Sequence, residues 1–458
     1  MFESLTPLLL ARLQMAFTLG FHVIIACFGV GFPVLLLTAE YFYLRTGDEI
    51  WKTLARRWSK VFVVLFAVGA VSGTVLSFEL GLLWPKFMGT FGGVIGLPFT
   101  LEGFAFFLEA IFAGIYLYGW DRLSPRAHWW SGVPIAIAGV ASAWFVVTAN
   151  AWMNTPNGFT ILNGIVTGVD PIAAMLSPAT PTQTLHMILA AYMVAGFCVA
   201  SVYAVSWLKG KRSRYHIRAL WLALALAVVP TPFQAVVGDF AGKMVAKYQP
   251  VKLAALEGQF ETQAGAPLRL GGLPDAAKGV TRYALEIPGG LSWLAYRDRH
   301  AIVQGLNEVP KENRPPVLVT HLAFQVMVGM GTFLLFLSFW TLFSVLRKCR
   351  LPESRLYFWS LAVSGFAAVL ALEAGWIVTE VGRQPWIAYR FMKTADAVTS
   401  APGVGFVFLG TLLIYAILAV GTLFVLRLLA KKPLPDDNYK KAVSDQQSAF
   451  SQKLIADR

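Results

Sequence analysis

Long apolar runs recur from one end of the chain to the other, at about 14–44, 61–84, 98–120, 129–150, 185–208, 217–238, 316–346, 356–380 and 404–430. Each is long enough to cross a hydrocarbon layer, which takes roughly 20 helical residues. Inside lipid the backbone must satisfy its own hydrogen bonds, and a helix does this within one segment. The chain is therefore expected to be an all-α polytopic membrane protein with nine transmembrane helices. Composition agrees: 57% of the 458 residues are hydrophobic and 14% are charged, against about 25% charged in soluble domains. A soluble globular enzyme is excluded.

The net charge of +13 is read through its distribution, as topology rather than as affinity for nucleic acid. Arg45, Lys52, Arg56, Arg57 and Lys60 follow the first run, and Lys209, Lys211, Arg212 and Arg214 the fifth. Arg347, Lys348, Arg350 and Arg355 follow the seventh, and Lys431 and Lys432 the ninth, whereas the loop after the fourth has no Lys or Arg. The positive-inside rule makes the basic connections cytoplasmic, with the N-terminus outside and the C-terminus inside. The first run lacks a basic leader and a small-residue cleavage site and is read as a retained span. Cys27, Cys198 and Cys349 are unclustered, so neither a disulfide framework nor a thiolate metal site is suggested. Residues 1–458 are expected to form one integral domain, with an external loop at 239–315 and a cytoplasmic tail at 433–458. That loop is far longer than an ordinary connection, and such loops are commonly functional.

Charged groups near a bilayer centre cost about 2.5–3.5 kcal/mol each on insertion scales, so each needs a reason. His128, His216 and His300 fall in loops and are read as solvated surface. His22, His186 and His321 lie at span starts or within spans. By the topology above, His22, His186, Met327 and Glu380 occupy the outer part of their helices. Glu102 and Glu109 share one helix face, because seven residues make nearly two turns. These groups form one layer near the outer surface. Imidazole and thioether are haem axial ligands: His186 with Met327 suits an electron-transfer haem, and His22 with Glu380 suits one or two reactive ones. On the residues alone, the chain is a redox or proton-handling membrane protein. A secondary transporter binding ions at the buried Glu and His residues is the alternative, as is a haem-bearing quinone dehydrogenase or sensor without oxygen chemistry.

Several strings then carry a resemblance. Arg12-Leu13-Gln14 precedes His22; Glu102-Gly103 is followed by Phe106-Phe107-Leu108-Glu109, and Gly119-Trp120-Asp121-Arg122 by Ala149-Asn150-Ala151-Trp152-Met153. Lys252-Leu253-Ala254-Ala255-Leu256-Glu257 and Gly382-Arg383-Gln384-Pro385-Trp386 complete the set. In this order, over about residues 8–430, they resemble subunit I of the cytochrome bd-type quinol oxidases, and the FMKTADAV segment resembles the short-loop, cyanide-insensitive-like type. The resemblance implies an electrogenic quinol:oxygen oxidoreductase in the bacterial cytoplasmic (inner) membrane. Membrane quinol would be oxidised and O2 reduced to water through a low-spin haem b, a high-spin haem b and a haem d or third haem b. It implies His186 and Met327 as axial ligands of the low-spin haem, and His22 and Glu380 as single ligands of the other two. Lys252 and Glu257 resemble the quinol-site pair, while Glu102 and Glu109 resemble carboxylates beside the haems on a proton route. Ser142 is an inner-half candidate for that route. Arg383 is expected beside haem propionates or Glu380. A polytopic subunit II and a small single-span subunit are the implied partners. Gln325 stands where many family members carry an arginine.

Overall fold

The computed structural model describes residues 6–432; the expected tail at 433–458 lies outside them. The chain divides into two compact units, Met1–Leu412 and Leu413–Arg458. Among the described residues, nine helical segments are long and apolar enough to cross a membrane, as the apolar runs require. They are α1 (Pro7–Thr46), α2 (Glu49–Leu83), α3 (Pro85–Gly119), α4 (Pro125–Asn154), α6 (Thr180–Leu208), α7 with α8 (Arg214–Val228 and Pro230–Tyr248), α11 (Val317–Lys348), α12 (Arg355–Glu380) and α14 (Val404–Lys431). Most run past the apolar stretch that announces them. Side-chain caps start four of them: Thr6, Asp48, Ser124 and Ser354 each accept a backbone N–H of the first turn, satisfying groups a helix end leaves unpaired.

The sixth segment is interrupted. Pro230, without an N–H to donate, begins α8 one residue after α7 ends, and the helix then continues to Tyr248. The 239–315 stretch thus starts as helix. Beyond it come α9 (Pro250–Glu257), α10 (Gly290–Tyr296) and three small antiparallel pairings: β3 (Gln263–Ala264) with β8 (Ile302–Val303), β4 (Leu268–Leu270) with β7 (Leu285–Ile287), and β5 (Leu273–Asp275) with β6 (Val280–Arg282). The segment between α4 and α6 holds β1 (Thr160–Leu162), β2 (Ile165–Thr167) and α5 (Pro171–Met175); that between α12 and α14 holds β9 (Trp386–Ala388), β10 (Met392–Lys393) and α13 (Thr394–Ala397).

Within the first unit, α1 packs on α2, α4 and α6, α3 on α4, and α12 on both α6 and α11. The connection that follows α12 meets the last turns of α4 and α2: Tyr389 N donates to Met153 O and Thr399 N to Leu83 O. An aromatic cluster of Phe87, Phe91, Trp152 and Phe159 fills the space beneath them. Near the opposite ends of α1, α3 and α4 lies a buried hydrogen-bonded cluster. His128 Nδ1 meets Glu40 Oε1 at 2.7 Å, His128 Nε2 meets Tyr116 O at 2.8 Å, and Tyr116 donates to Glu40 Oε2 at 2.7 Å. His128 is 2% exposed, so its reading as solvated surface is corrected. Pro125 starts α4 before the apolar run begins, which carries His128 inside the packing. His300 is exposed, as expected of a loop histidine.

Candidate functional site

Two short elements frame the site, α9 and the turn after α12. Proline at the first position starts α9, and Gly258 ends it in the left-handed region with φ 61°, where glycine carries no Cβ penalty. A Cβ at Gly258 would also stand 2.5 Å from Thr281 Oγ1. Gly382, first residue of GRQPW, has a different constraint. Its Cβ would lie 2.3 Å from Val378 O and 3.0 Å from Lys252 Cε, so only glycine lets the turn close over the lysine.

Lys252 is fully enclosed there. Its Nζ donates to Asn154 Oδ1 at 2.9 Å, Thr379 O at 3.0 Å and Gln249 Oε1 at 3.5 Å. From Asn154 the network continues. Asn154 Nδ2 donates to Asn150 Oδ1 at 3.1 Å, Thr379 Oγ1 to the same oxygen at 3.4 Å, and Asn150 Nδ2 to Glu380 Oε1. Arg383 Nη2 donates to Glu380 Oε2 at 2.6 Å, its Nε donates to Trp386 O at 3.3 Å, and its buried Nη1 has no partner. Arg383 therefore sits beside Glu380. Lys252 and Arg383 both line a cavity of about 270 Å³ together with Gln384, Trp386, Arg390 and Glu308. Burial, reinforced by Arg383, pulls the Lys252 ammonium down to about 7 against the attraction of Glu380.

Glu257 does not join Lys252. Five residues apart on a helix, the two point about 140° apart, and Glu257 is absent from the cavity lining. It is 4% exposed, its Oε2 has no partner, and burial pushes its carboxyl up to about 8, with Arg269 opposing. The two members of the KLAALE motif thus lie in separate polar environments.

The expected ligands are placed as follows. His186 on α6 faces α8, where a Cβ at Gly238 would come within 3.5 Å of its Cε1, and its buried Nδ1 has no partner. Met327 on α11 faces α12, where a Cβ at Gly375 would come within 3.3 Å of its Sδ. His22 Nδ1 meets Ser72 Oγ at 2.9 Å, leaving Nε2 for a ligand in the way second-shell partners orient metal-binding imidazoles. Glu380 has both oxygens engaged, but a carboxylate offers about four acceptor positions. Among the described residues no group of three or more His, Cys, Asp or Glu gathers around a point; a haem iron needs only one or two such ligands. The unpartnered His186 nitrogen, the glycines facing His186 and Met327, and the free Nη1 of Arg383 fit haem and its acidic propionates.

Glu102 accepts from Ser142 Oγ at 3.3 Å. Ser142 lies past the midpoint of α4 toward Asn154. Glu109 is buried, with Oε1 unpartnered and facing Gly29 and Gly139. His321 is fully buried, and both its ring nitrogens meet loop carbonyls.

Some residues escaped the sequence reading. Glu373, two turns before Glu380, has an unpartnered Oε1 and lies against Gly20; a second carboxylate within the same apolar run was the available signal. Glu79 accepts from Gln14 at 2.8 Å and Thr18 at 3.1 Å, a partner that the Arg12-Leu13-Gln14 string alone does not name. Asn154 directly follows the Ala149–Met153 string.

Residues 10–434 match the family described as cytochrome bd terminal oxidase subunit I. A Bacillus subtilis (strain 168) protein provisionally named cytochrome bd menaquinol oxidase subunit I is 38% identical over 445 residues, covering 95% of this chain and 99% of that one. The cytochrome bd ubiquinol oxidase subunit 1 of the same organism is 30% identical over 434 residues, covering 92% and 91%. Among solved structures, the bd oxidase from Geobacillus thermodenitrificans superposes with a TM-score of 0.87 at 42% identity, covering 93% of this chain and 99% of that one. Similarity of this extent, carried by the whole helical framework as well as by the short motifs, makes the chain a member of the cytochrome bd terminal oxidase subunit I family.

Proposed function

We propose that this chain is the haem-bearing subunit of an electrogenic quinol oxidase in the bacterial cytoplasmic membrane, oxidising quinol at the outer face and reducing O2 to water. The observation that carries the reading is the continuous hydrogen-bond network from Lys252, on the loop helix, through Asn154 and Asn150 to Glu380 and Arg383. It ties a candidate quinol-site residue to a candidate iron ligand. His186 and Met327 would hold a low-spin haem b; His22 and Glu380 would each hold one of two others, a high-spin haem b and a haem d or third haem b. When bound, these groups supply one-electron transfer and oxygen binding.

The chain's own residues supply position and protons. Quinol oxidation releases protons, and a buried carboxyl such as Glu257 is suited to accept one when ionised. The Lys252 ammonium, held by three acceptors, balances negative charge beside it. Arg383 neutralises Glu380 on one side and offers its free Nη1 to a propionate. Glu109 and Glu102, spaced along one face of α3, would carry protons toward the oxygen site, with Ser142 fixing Glu102. Protons released outside and taken from the cytoplasm generate a proton-motive force without a pump. Basic connections at alternate ends support an outer N-terminus, an external 239–315 loop and an inner 433–458 tail. A polytopic subunit II and a small single-span subunit complete the assembly.

The test is a dithionite-reduced minus oxidised visible spectrum of the purified complex, with and without carbon monoxide. A low-spin haem b band with carbon-monoxide-sensitive high-spin bands is expected; a far-red band would identify haem d. A featureless spectrum from intact, folded complex produced with haem in supply would overturn the reading.

A further inference from the structure

His321 and Gln325 stand one turn apart on α11, on the same face, and together close a ring of hydrogen bonds around the end of α9. His321 Nδ1 meets Leu256 O at 2.7 Å and Nε2 meets Gly271 O at 3.1 Å. Both partners are backbone carbonyls, which accept from a ring nitrogen that carries a proton. Gln325 pairs with the hairpin as a neighbouring strand would: its Oε1 accepts from Gly271 N at 3.0 Å, and its Nε2 donates to Arg269 O at 3.0 Å. Arg269 Nη1 then donates to Gln259 Oε1 at 2.5 Å and Gly258 O at 3.4 Å, and Thr281 Oγ1 donates to Gly258 O at 2.7 Å. The carbonyls on both sides of Glu257 are thereby tied down.

We propose that His321 and Gln325 are positioning residues of the loop site, fixing the 256–258 corner and with it the Glu257 carboxyl against α11. The proposal rests on the reading of Glu257 as a quinol-site group. Apolar contact already docks the loop, through Val317 against Ala254, Ala255, Phe260 and Leu306. The polar ring therefore selects where the corner lies rather than whether the loop docks. It also gives Gln325 a task in this chain that concerns the loop backbone.

The test uses the intact complex carrying Gln325→Leu, which removes both hairpin contacts at similar size, or His321→Gln. Gln325→Glu keeps the acceptor for Gly271 N and loses the donor to Arg269 O. Three quantities are read: KM and kcat for a short-chain quinol, the rate of tryptic cleavage at the exposed Lys278 and Arg282, and the reduced minus oxidised spectrum. For Gln325→Leu, KM should rise about five- to tenfold, the size of one or two lost hydrogen bonds. Its kcat should stay within about twofold, loop cleavage should accelerate by a similar factor, and the spectrum should be unchanged. Gln325→Glu should fall between that variant and the parent. Unaltered cleavage and KM would overturn the proposal, and so would a displaced haem spectrum with a protected loop, which would assign Gln325 to the haem. If the parent complex failed to oxidise quinol, the functional reading would fall, while the cleavage rates would still decide whether this ring holds the loop.

Discussion

Glu257→Gln separates the charge of the loop carboxyl from its shape. Burial pushes Glu257 from its ordinary 4.5 up to about 8. A group titrating there is about one-tenth ionised at pH 7 and about nine-tenths at pH 9. Since only the ionised form accepts a proton, and Lys252, near 7, loses its charge over the same interval in parent and Gln variant alike, the parent-to-variant ratio of kcat/KM for quinol should rise about tenfold from pH 7 to pH 9 and level above it. Removing a general base costs about 10²-fold or more, so the Gln variant should be slow while keeping its haem spectrum. Stability gives an independent reading. Unfolded, the group ionises near 4.5; folded, it keeps its proton to about 8. Between those values the folded state binds more protons, so rising pH lowers stability over that window, by roughly 5 kcal/mol in total. Glutamine has no such dependence. The Tm of the variant minus that of the parent should therefore grow from pH 5 to pH 8 and then level off, measured by thermal unfolding in detergent. A parent-to-variant activity ratio that is flat from pH 7 to pH 9 would refute the assignment of Glu257 as proton acceptor.

Met327→Leu should abolish the low-spin haem signal in the reduced minus oxidised spectrum and spare the carbon-monoxide-sensitive bands. Asn154→Leu removes the 2.9 Å acceptor of Lys252 and should lower kcat/KM for quinol about tenfold or more, because a buried charge loses a partner; steady-state assays decide it. His128→Leu removes a buried hydrogen-bond partner of Glu40 and should cost about 1–3 kcal/mol, read as a lower Tm with haem content unchanged in the surviving folded protein.

The nine spans were legible because an apolar run of membrane length admits one backbone solution. Their true ends were not, since the helices project past the apolar stretch and caps such as Asp48 and Ser354 lie among loop-like residues. The loop after α8 was legible only as long and polar: strands of two or three residues show no alternation to read, and their partners, as with Gln263 and Val303, are remote in sequence. At the site, residue types and motifs pointed to His186, Met327, Glu380 and Arg383. Spacing along α9 did not announce that Lys252 and Glu257 face different surroundings, because the separation follows from which neighbours receive each side. His128 was misread because its partner, Glu40, comes from another helix.

The docking of the loop also limits how such proteins can be recombined. Its helix leans on Asn154 at the end of α4, on the Thr379 carbonyl at the end of α12 and on His321 of α11, and its β4 segment leans on Gln325 of α11. A loop transplanted from a relative would arrive without its sockets. Chimaeras intended to exchange the loop should therefore place their junctions outside these contacts, carrying the last turn of α4 and the first turns of α11 with the insert, and should treat the four segments as one inherited part.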